Sequence, residues 1–287
     1  MKSDIVILVV LYNKKIEDST TIRTLCENNL NKTTLIIHNN GPHAVDFPDS
    51  ISRKIKEKFD DVIFLNTTEN KPLSFLYNDT IDKYDSTEKF VFFDDDSQVT
   101  DSFVRALYAD DYDIEMPRII SLSDNLIYYP QANGKVVQED DELDPFNLFS
   151  IGSGLIIHRR LIDKFRKNRI KLFDEHYALY GVDFSLFRNI YALHKSGEVF
   201  NLKTSSFLYH SLSRTEGKDP PFRKLERLID FALTVRWYPS LKLYFIFFAK
   251  CIRAIFFLRW NEASVIISTY IRGNHPRCQK WLSEHKK

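Results

Sequence analysis

The feature that most constrains this chain is a recurring short, nearly unbroken apolar run. Residues 4–11 read DIVILVVL, 33–40 TTLIIHNN, 61–66 DVIFLN and 89–94 KFVFFD. A run that is apolar at successive positions, rather than at every second one, marks a strand covered on both faces. The stretches around 19–30, 48–59 and 72–84 between these runs read as helices. Strands alternating with helices at this pitch predict βαβ units and a mainly parallel α/β sheet flanked by helices. Ligands of such sheets sit at the carboxyl ends of the strands. The residues that follow the runs are polar: Tyr12-Asn13, Asn39-Asn40-Gly41, Asn66 and Asp94-Asp95-Asp96.

The Asp triplet is the sharpest of these tips. Three adjacent acids at the end of a buried strand repel one another and are poorly solvated. One explanation is an acidic helix N-cap over 94–97 ahead of SFVRAL, but three carboxylates exceed what one cap requires. A divalent cation makes the cluster tolerable, and Mg²⁺ or Mn²⁺ suits carboxylate oxygens.

Forty basic residues face thirty-nine acidic ones in 287, so overall charge does not favour nucleic acid and any electrostatic function is local. Cys26, Cys251 and Cys278 are scattered, without metal-ligand spacing or a disulfide framework, which suits a reducing compartment. The first apolar run is too short for a signal peptide and lacks a small-residue cleavage site, so it reads as a strand. After residue 112 the pattern is less regular, and EDDELD (139–144) reads as a solvated loop. IGSGLIIHRRLIDKF (151–165) predicts a Gly-Ser-Gly turn, a short strand and a helix. Residues 237–260, WYPSLKLYFIFFAKCIRAIFFLRW, are rich in Phe, Ile and Leu but interrupted by Lys242, Lys250, Arg253 and Arg259. This composition reads as a helix lying in a membrane interface rather than spanning it.

VVLYNK, IIHNNGP, NKPLSFLYN (70–78), FFDDDS, GSGLIIHRRLI, LFDEHYALYGVDFSLF and YHSLS occur in that order. In this set the chain resembles the inverting glycosyltransferases of the GT-A fold, particularly the rhamnosyltransferase-like branch that builds bacterial surface polysaccharides (O-antigen or capsule). The resemblance implies a GT-A domain over 1–230 and a helical, membrane-associated segment over 231–287. It implies a nucleotide-sugar donor, dTDP-L-rhamnose first and a UDP-hexose second. The acceptor would be a lipid-linked oligosaccharide at the inner face of the cytoplasmic membrane.

Residue by residue, it places Leu11, Tyr12, Asn13, Asn39, Asn40, Asn78, Asp94 and Asp95 around the nucleotide. Asp96, Asp94 and His210 would hold the metal. Gly152, Ser153, Gly154, Tyr180 and Gly181 would line the donor and acceptor sugars, Arg214 would meet the diphosphate, and Asp183 would be the base. Asn39 stands where the family usually has an acid, and its amide oxygen can accept from a pyrimidine N3–H. Asp174 and Glu175 are alternative bases, and GSG also reads as a plain turn. Two other classes fit parts of the pattern. FDDDSQ resembles the opening of haloacid-dehalogenase-like phosphatases, with Asp94 as nucleophile. A carbohydrate-binding protein that kept the fold without catalysis is the non-enzyme reading.

Overall fold

Strand β1 (Ile5–Leu11) shows why its run is apolar at every position. Ile5, Ile7, Val9 and Leu11 join one hydrophobic cluster, while Val6, Leu8 and Val10 join another on the opposite face. Strand β4 (Lys89–Asp94) divides the same way, Val91 and Phe93 against Phe90 and Phe92. Each such side chain contributes about 1.5–3 kcal/mol on burial, more than the net ~1 kcal/mol of a ladder hydrogen bond. Packing of helices on both faces therefore decides the architecture.

The computed structural model describes residues 4–212 and 220–285. Strands β2 (Leu30–Asn39) and β3 (Phe59–Asn66) extend the parallel sheet on one side of β1. Strands β5 (Ile114–Glu115) and β6 (Arg118–Ser121) come next in sequence, then β7 (Ile127–Tyr129), β8 (Gln131–Ala132), β9 (Lys135–Val136) and β10 (Asp141–Leu143). Beyond them lie β11 (Leu155–His158), β12 (Leu202–Thr204) and β13 (Phe207–His210). The main sheet runs β10-β12-β5-β11-β4-β1-β2-β3, and a smaller one runs β13-β6-β7. Helices α1 (Thr20–Leu25), α2 (Asp49–Lys56), α3 (Leu73–Lys83) and α4 (Asp101–Tyr108) connect the first half. Helices α5 (Arg159–Lys167), α6 (Val182–Lys195) and α7 (Pro221–Trp237) follow, then α8 (Leu241–Phe256), α9 (Trp260–Arg272) and α10 (Pro276–His285).

Three sequence expectations are corrected. The helix placed over 19–30 stops at Leu25, and β2 begins at Leu30 rather than 33 because Leu30 pairs with Phe59 across a register irregularity. The acidic stretch 139–144 is not wholly loop. Its Leu143 is buried, and Asp141–Leu143 pairs antiparallel with β12 as the sheet's edge, where Asp141 and Glu142 face solvent. The apolar stretch 237–260 is not one helix, since it joins the end of α7, all of α8 and the start of α9.

The expected boundary at 230/231 falls inside α7. That helix belongs to two cores at once: Ile229 and Leu233 pack into the main domain, Ala232 and Val235 against Phe247, Cys251 and Ile266 of α8 and α9.

Candidate active site

The site is built where β4 ends. Thr21 Oγ1 donates to the Asp94 carbonyl at 2.6 Å, and Ser19 Oγ to the Asp95 carbonyl at 3.0 Å. Thr21 Oγ1 also accepts from the Ser97 amide at 2.9 Å. The start of α1, where Ser19 caps Ile22, thus clamps the acidic turn from below. On the far side the Gln98 amide donates to the Tyr209 carbonyl at 2.7 Å, which draws the end of β13 against the turn. His210 arrives by this route. Its Nδ1 lies 2.9 Å from Ser97 Oγ, which is itself 2.8 Å from Ser153 Oγ.

Within this frame the three acids separate. Asp95, in the turn just past β4, lines the second cavity and pairs with Lys14 at 2.5 Å. Asp94, Asp96 and His210 each offer one ligand atom, and these atoms lie within 4.8 Å of one another. Asp96 Oδ1 is buried with no hydrogen-bond partner among the described residues, although His210 Nδ1 is 3.2 Å away. Burial pushes the Asp96 carboxyl up to about 6, with His210 opposing and Asp94 and Asp95 adding to the rise. Asp94 is raised too, again first by desolvation. A buried oxygen with no hydrogen bond and two carboxyls crowded beside an imidazole are a donor set that Mg²⁺ or Mn²⁺ would satisfy. The residues fit such a cation.

A cavity of about 510 Å³ opens from this group and is lined by Asp94, Asp96, His210, Tyr180, Asp183 and Asp230, among others. A second, of about 270 Å³, shares Asp94 and Asp96 and extends past Tyr12, Asn40, Asn70 and Arg277. The two cavities therefore meet at Asp94 and Asp96.

Asp183 stands in the first turn of α6, after Gly181 in a left-handed conformation (φ 84°). A Cβ on Gly181 would approach Asp230 Oδ1 to 2.2 Å, and one on Gly152 would approach Asp183 Oδ1 to 2.4 Å. Both glycines therefore let backbone approach a carboxylate closely. Burial pushes Asp183 up to about 7, with Asp94 adding to the rise, the Gly152 N–H opposing it and Asp230 adding a little more. The alternative bases are spoken for. Asp174 accepts from Tyr238 at 2.9 Å and lies 2.5 Å from His176 Nδ1, and Glu175 accepts from Asn78 at 3.2 Å.

Several expected contacts are corrected. Asn39 is fully buried, with its Nδ2 donating to the His43 carbonyl and Asn66 Oδ1, and its Oδ1 accepting from the Gly41 amide. Asn40 forms a reciprocal pair with the Lys71 backbone at 2.9 Å, and Asn78 does the same with Phe173 at 2.8 and 3.2 Å. These three amides tie loops together, and of them Asn40 also lines the second cavity. Leu11 is core. Gly154 (φ 85°) faces Leu208, Phe93 and Pro117, so it serves packing, not a sugar. Ser153 accepts from the Asp94 amide at 3.0 Å and so positions that acid. Tyr12 lines the second cavity, whereas Asn13, exposed and with a left-handed backbone (φ 52°), is not among its lining residues. Arg214 lies outside the described residues.

Sequence reasoning missed Asp230, which burial pushes up to about 6 against the pull of Arg188. The available signal was an acid beside the buried Ile229 and Leu233, on the core-facing side of α7. Arg277 was missed altogether.

Comparison of the sequence with protein-family models and with curated proteins gave no match. Solved structures do resemble it. S. aureus TarS 1–349 matches with a TM-score of 0.55 and 13% identity, over 95% of this chain and 93% of that one. A longer S. aureus TarS chain matches at 0.51 and 14%, over 81% of this chain and 39% of that one. GalNAc-T7, solved with UDP, GalNAc and Mn²⁺, matches at 0.52 and 13%, over 83% of this chain and 48% of that one. This chain thus spans less than half of those two longer proteins. Identity this low carries the fold alone, and that fold is the expected one: a GT-A arrangement of a large, mainly parallel sheet flanked by helices, with helices at the C-terminus.

Proposed function

We propose that this chain is a nucleotide-sugar-dependent glycosyltransferase that transfers its sugar with inversion. The observation that carries the reading is the pairing of two chemistries in one cavity, the Asp94–Asp96–His210 group and Asp183. Asp94, Asp96 and His210 would hold Mg²⁺ or Mn²⁺, which when bound neutralises the charge that collects on a departing diphosphate. Ser153 and Ser97 fix Asp94 and His210, so the ligand set is in place before substrate arrives.

Asp183 then does the proton chemistry. Its carboxylate takes the proton of an acceptor hydroxyl while that oxygen attacks the anomeric carbon. The new C–O bond forms as the bond from the anomeric carbon to the β-phosphate oxygen breaks, and the electron pair leaves with the diphosphate. A base raised to about 7 by its surroundings is well matched to that task near neutral pH. The larger cavity suits the sugars and the smaller one, beside Tyr12, the nucleotide. A UDP or dTDP donor, dTDP-L-rhamnose first, follows from the motif resemblance, and the neighbour solved with UDP, GalNAc and Mn²⁺ supports the chemical class.

The acceptor in this reading is a lipid-linked oligosaccharide, with the protein peripheral at the inner face of the cytoplasmic membrane. Support comes from α8. Leu241, Phe245, Phe248, Ile252 and Phe256 recur along one helix face and are 91, 77, 61, 67 and 79% exposed. Residues 231–261 contain five Lys or Arg and no Asp or Glu. Among the described residues no helix is long and apolar enough to cross a membrane. An exposed apolar stripe with basic flanks is the pattern of a helix lying in an anionic lipid interface.

The test is a mass-spectrometric screen of nucleotide-sugars with Mn²⁺ and a lipid-linked acceptor extract. A product gained in sugar mass by the wild type and absent with Asp183→Asn supports the reading. Binding of a nucleotide-sugar without turnover under every condition favours the non-catalytic alternative.

A further inference from the structure

The smaller cavity has an unassigned wall. Beside Tyr12 and the Asp triplet it is lined by Arg277, nearly two hundred residues further along the chain and in the first turn of α10. The residue is held in place with care. Its Nη1 donates to Asn70 Oδ1 at 3.1 Å and its Nη2 to Glu226 Oε2 at 3.2 Å. Glu226 is 5% exposed, and the 4% exposed His275 lies 3.1 Å from the same oxygen through Nε2. His275 Nδ1 accepts from the Arg277 amide at 3.1 Å, so the proton sits on Nε2 and points to Glu226. The tail that carries this cluster is pinned to the site's own loop, because the His275 amide donates to the His176 carbonyl at 2.9 Å. Cys278 of the same helix packs against Phe75 and Ala178.

The bonds to Asn70 and Glu226 do not use up the guanidinium. The side chain is 22% exposed and lines the cavity with Asp94 and Asp96, while its Nε is buried behind that edge. The cavity it lines ends at carboxylates, which cannot be the natural resting place of further negative charge unless a cation intervenes. A diphosphate held there by a divalent ion would meet this wall, and a guanidinium anchored to Asn70 and Glu226 is preorganised to receive it.

We propose that the Arg277 guanidinium binds the diphosphate of the nucleotide from the wall of the smaller cavity, and that Glu226, His275 and Asn70 are the residues that position it. The assignment rests on the glycosyltransferase reading and deepens it: the C-terminal helix completes the donor site. It predicts that the tail following α9 is needed for donor affinity, separately from any lipid contact made by α8.

The test uses the full chain and titrates Mn²⁺-pyrophosphate by calorimetry, with UDP and dTDP as second probes. Mn²⁺ binding alone is followed by its paramagnetic resonance signal. Arg277→Ala is expected to weaken pyrophosphate uptake about tenfold or more, with Mn²⁺ binding alone within about twofold of wild type. Arg277→Lys retains an ion pair with Glu226 but lacks the planar guanidinium that Asn70 and Glu226 hold against the cavity. It is expected to keep the wild-type melting temperature while its pyrophosphate affinity stays at least about fivefold down. Wild-type affinity in Arg277→Lys, or in a folded Arg277→Ala, overturns the assignment while leaving the glycosyltransferase reading intact. Failure of the wild type to take up any of the three probes with Mn²⁺ overturns both.

Discussion

The acidic rim and the α8 face treat exposed chemistry in opposite ways. At the rim, charged groups are enclosed and fixed: Ser19, Thr21, Ser97 and Ser153 all hydrogen-bond to the turn that carries Asp94 and Asp96. On α8 large apolar groups are left open, and the only side of the helix that packs is Phe247, Cys251 and Ala254. Each region departs from the usual partition of polar and apolar groups. In the proposed reading the rim would take a cation and its anion, and the α8 face an apolar, negatively charged surface. Function in this molecule is legible as two kinds of incomplete burial.

The largest expected effect separates catalysis from stability at the rim. Asp183→Asn should lower turnover about a thousandfold with little change in donor affinity. It should also raise the melting temperature by roughly a few °C at pH 8. The folded carboxyl titrates near 7 against an ordinary value of 3.8. The stability it contributes is therefore complete below about pH 4 and is lost as pH rises through 7. The gain from Asn should accordingly fade towards pH 5, as thermal melts at the two pH values would show. Wild-type activity should rise through an apparent pKa near 7, because desolvation, the largest cause of the shift, persists when a cation neutralises Asp94.

Next is the ligand set. Asp96→Ala should reduce Mn²⁺-dependent nucleotide uptake by about a hundredfold, measured by calorimetry, while circular dichroism stays unchanged.

The α8 face should respond in the complementary sense. Phe245→Ser, Phe248→Ser and Ile252→Ser together should cut association with phosphatidylglycerol vesicles by about tenfold or more. Turnover on a short soluble acceptor and the melting temperature should hardly move, because these side chains are already exposed. A collapse in stability would instead show that they pack on protein.

The smallest effect is expected at Lys14. Its ion pair with Asp95 is partly solvated and so worth about 0–1 kcal/mol. Lys14→Met removes positive charge beside the triplet, and should tighten Mn²⁺ binding by no more than about fivefold.

What the sequence revealed follows the range of the interactions involved. The four central strands and the Asp triplet were legible because burial on both faces and the sudden change to acids are local patterns. Asp183 and His210 came from fragments in order, and the cavity brings both to the triplet. The loop-tying hydrogen bonds of the three asparagines were not legible for a physical reason. A polar strand tip and a loop-tying amide look alike in sequence, and the partners that decide are 31 residues away for Asn40 and 95 for Asn78. Asp230 and Arg277 are further cases of the same limit. Their neighbours in sequence are apolar or ordinary helix residues, and only the packing of α7 and α10 onto the sheet's rim brings them to the site. The acids of β10 read as loop because an edge strand with one buried leucine carries almost no periodic signal.

The central claim is that Asp94, Asp96 and His210 grip a divalent cation that holds nucleotide phosphates. The direct measurement is a calorimetric titration of the wild-type chain with UDP and with dTDP, in Mn²⁺ and again in EDTA. The account predicts saturable uptake of at least one of them in Mn²⁺, abolished by EDTA. Equal uptake with and without the metal, or none in either, would contradict it.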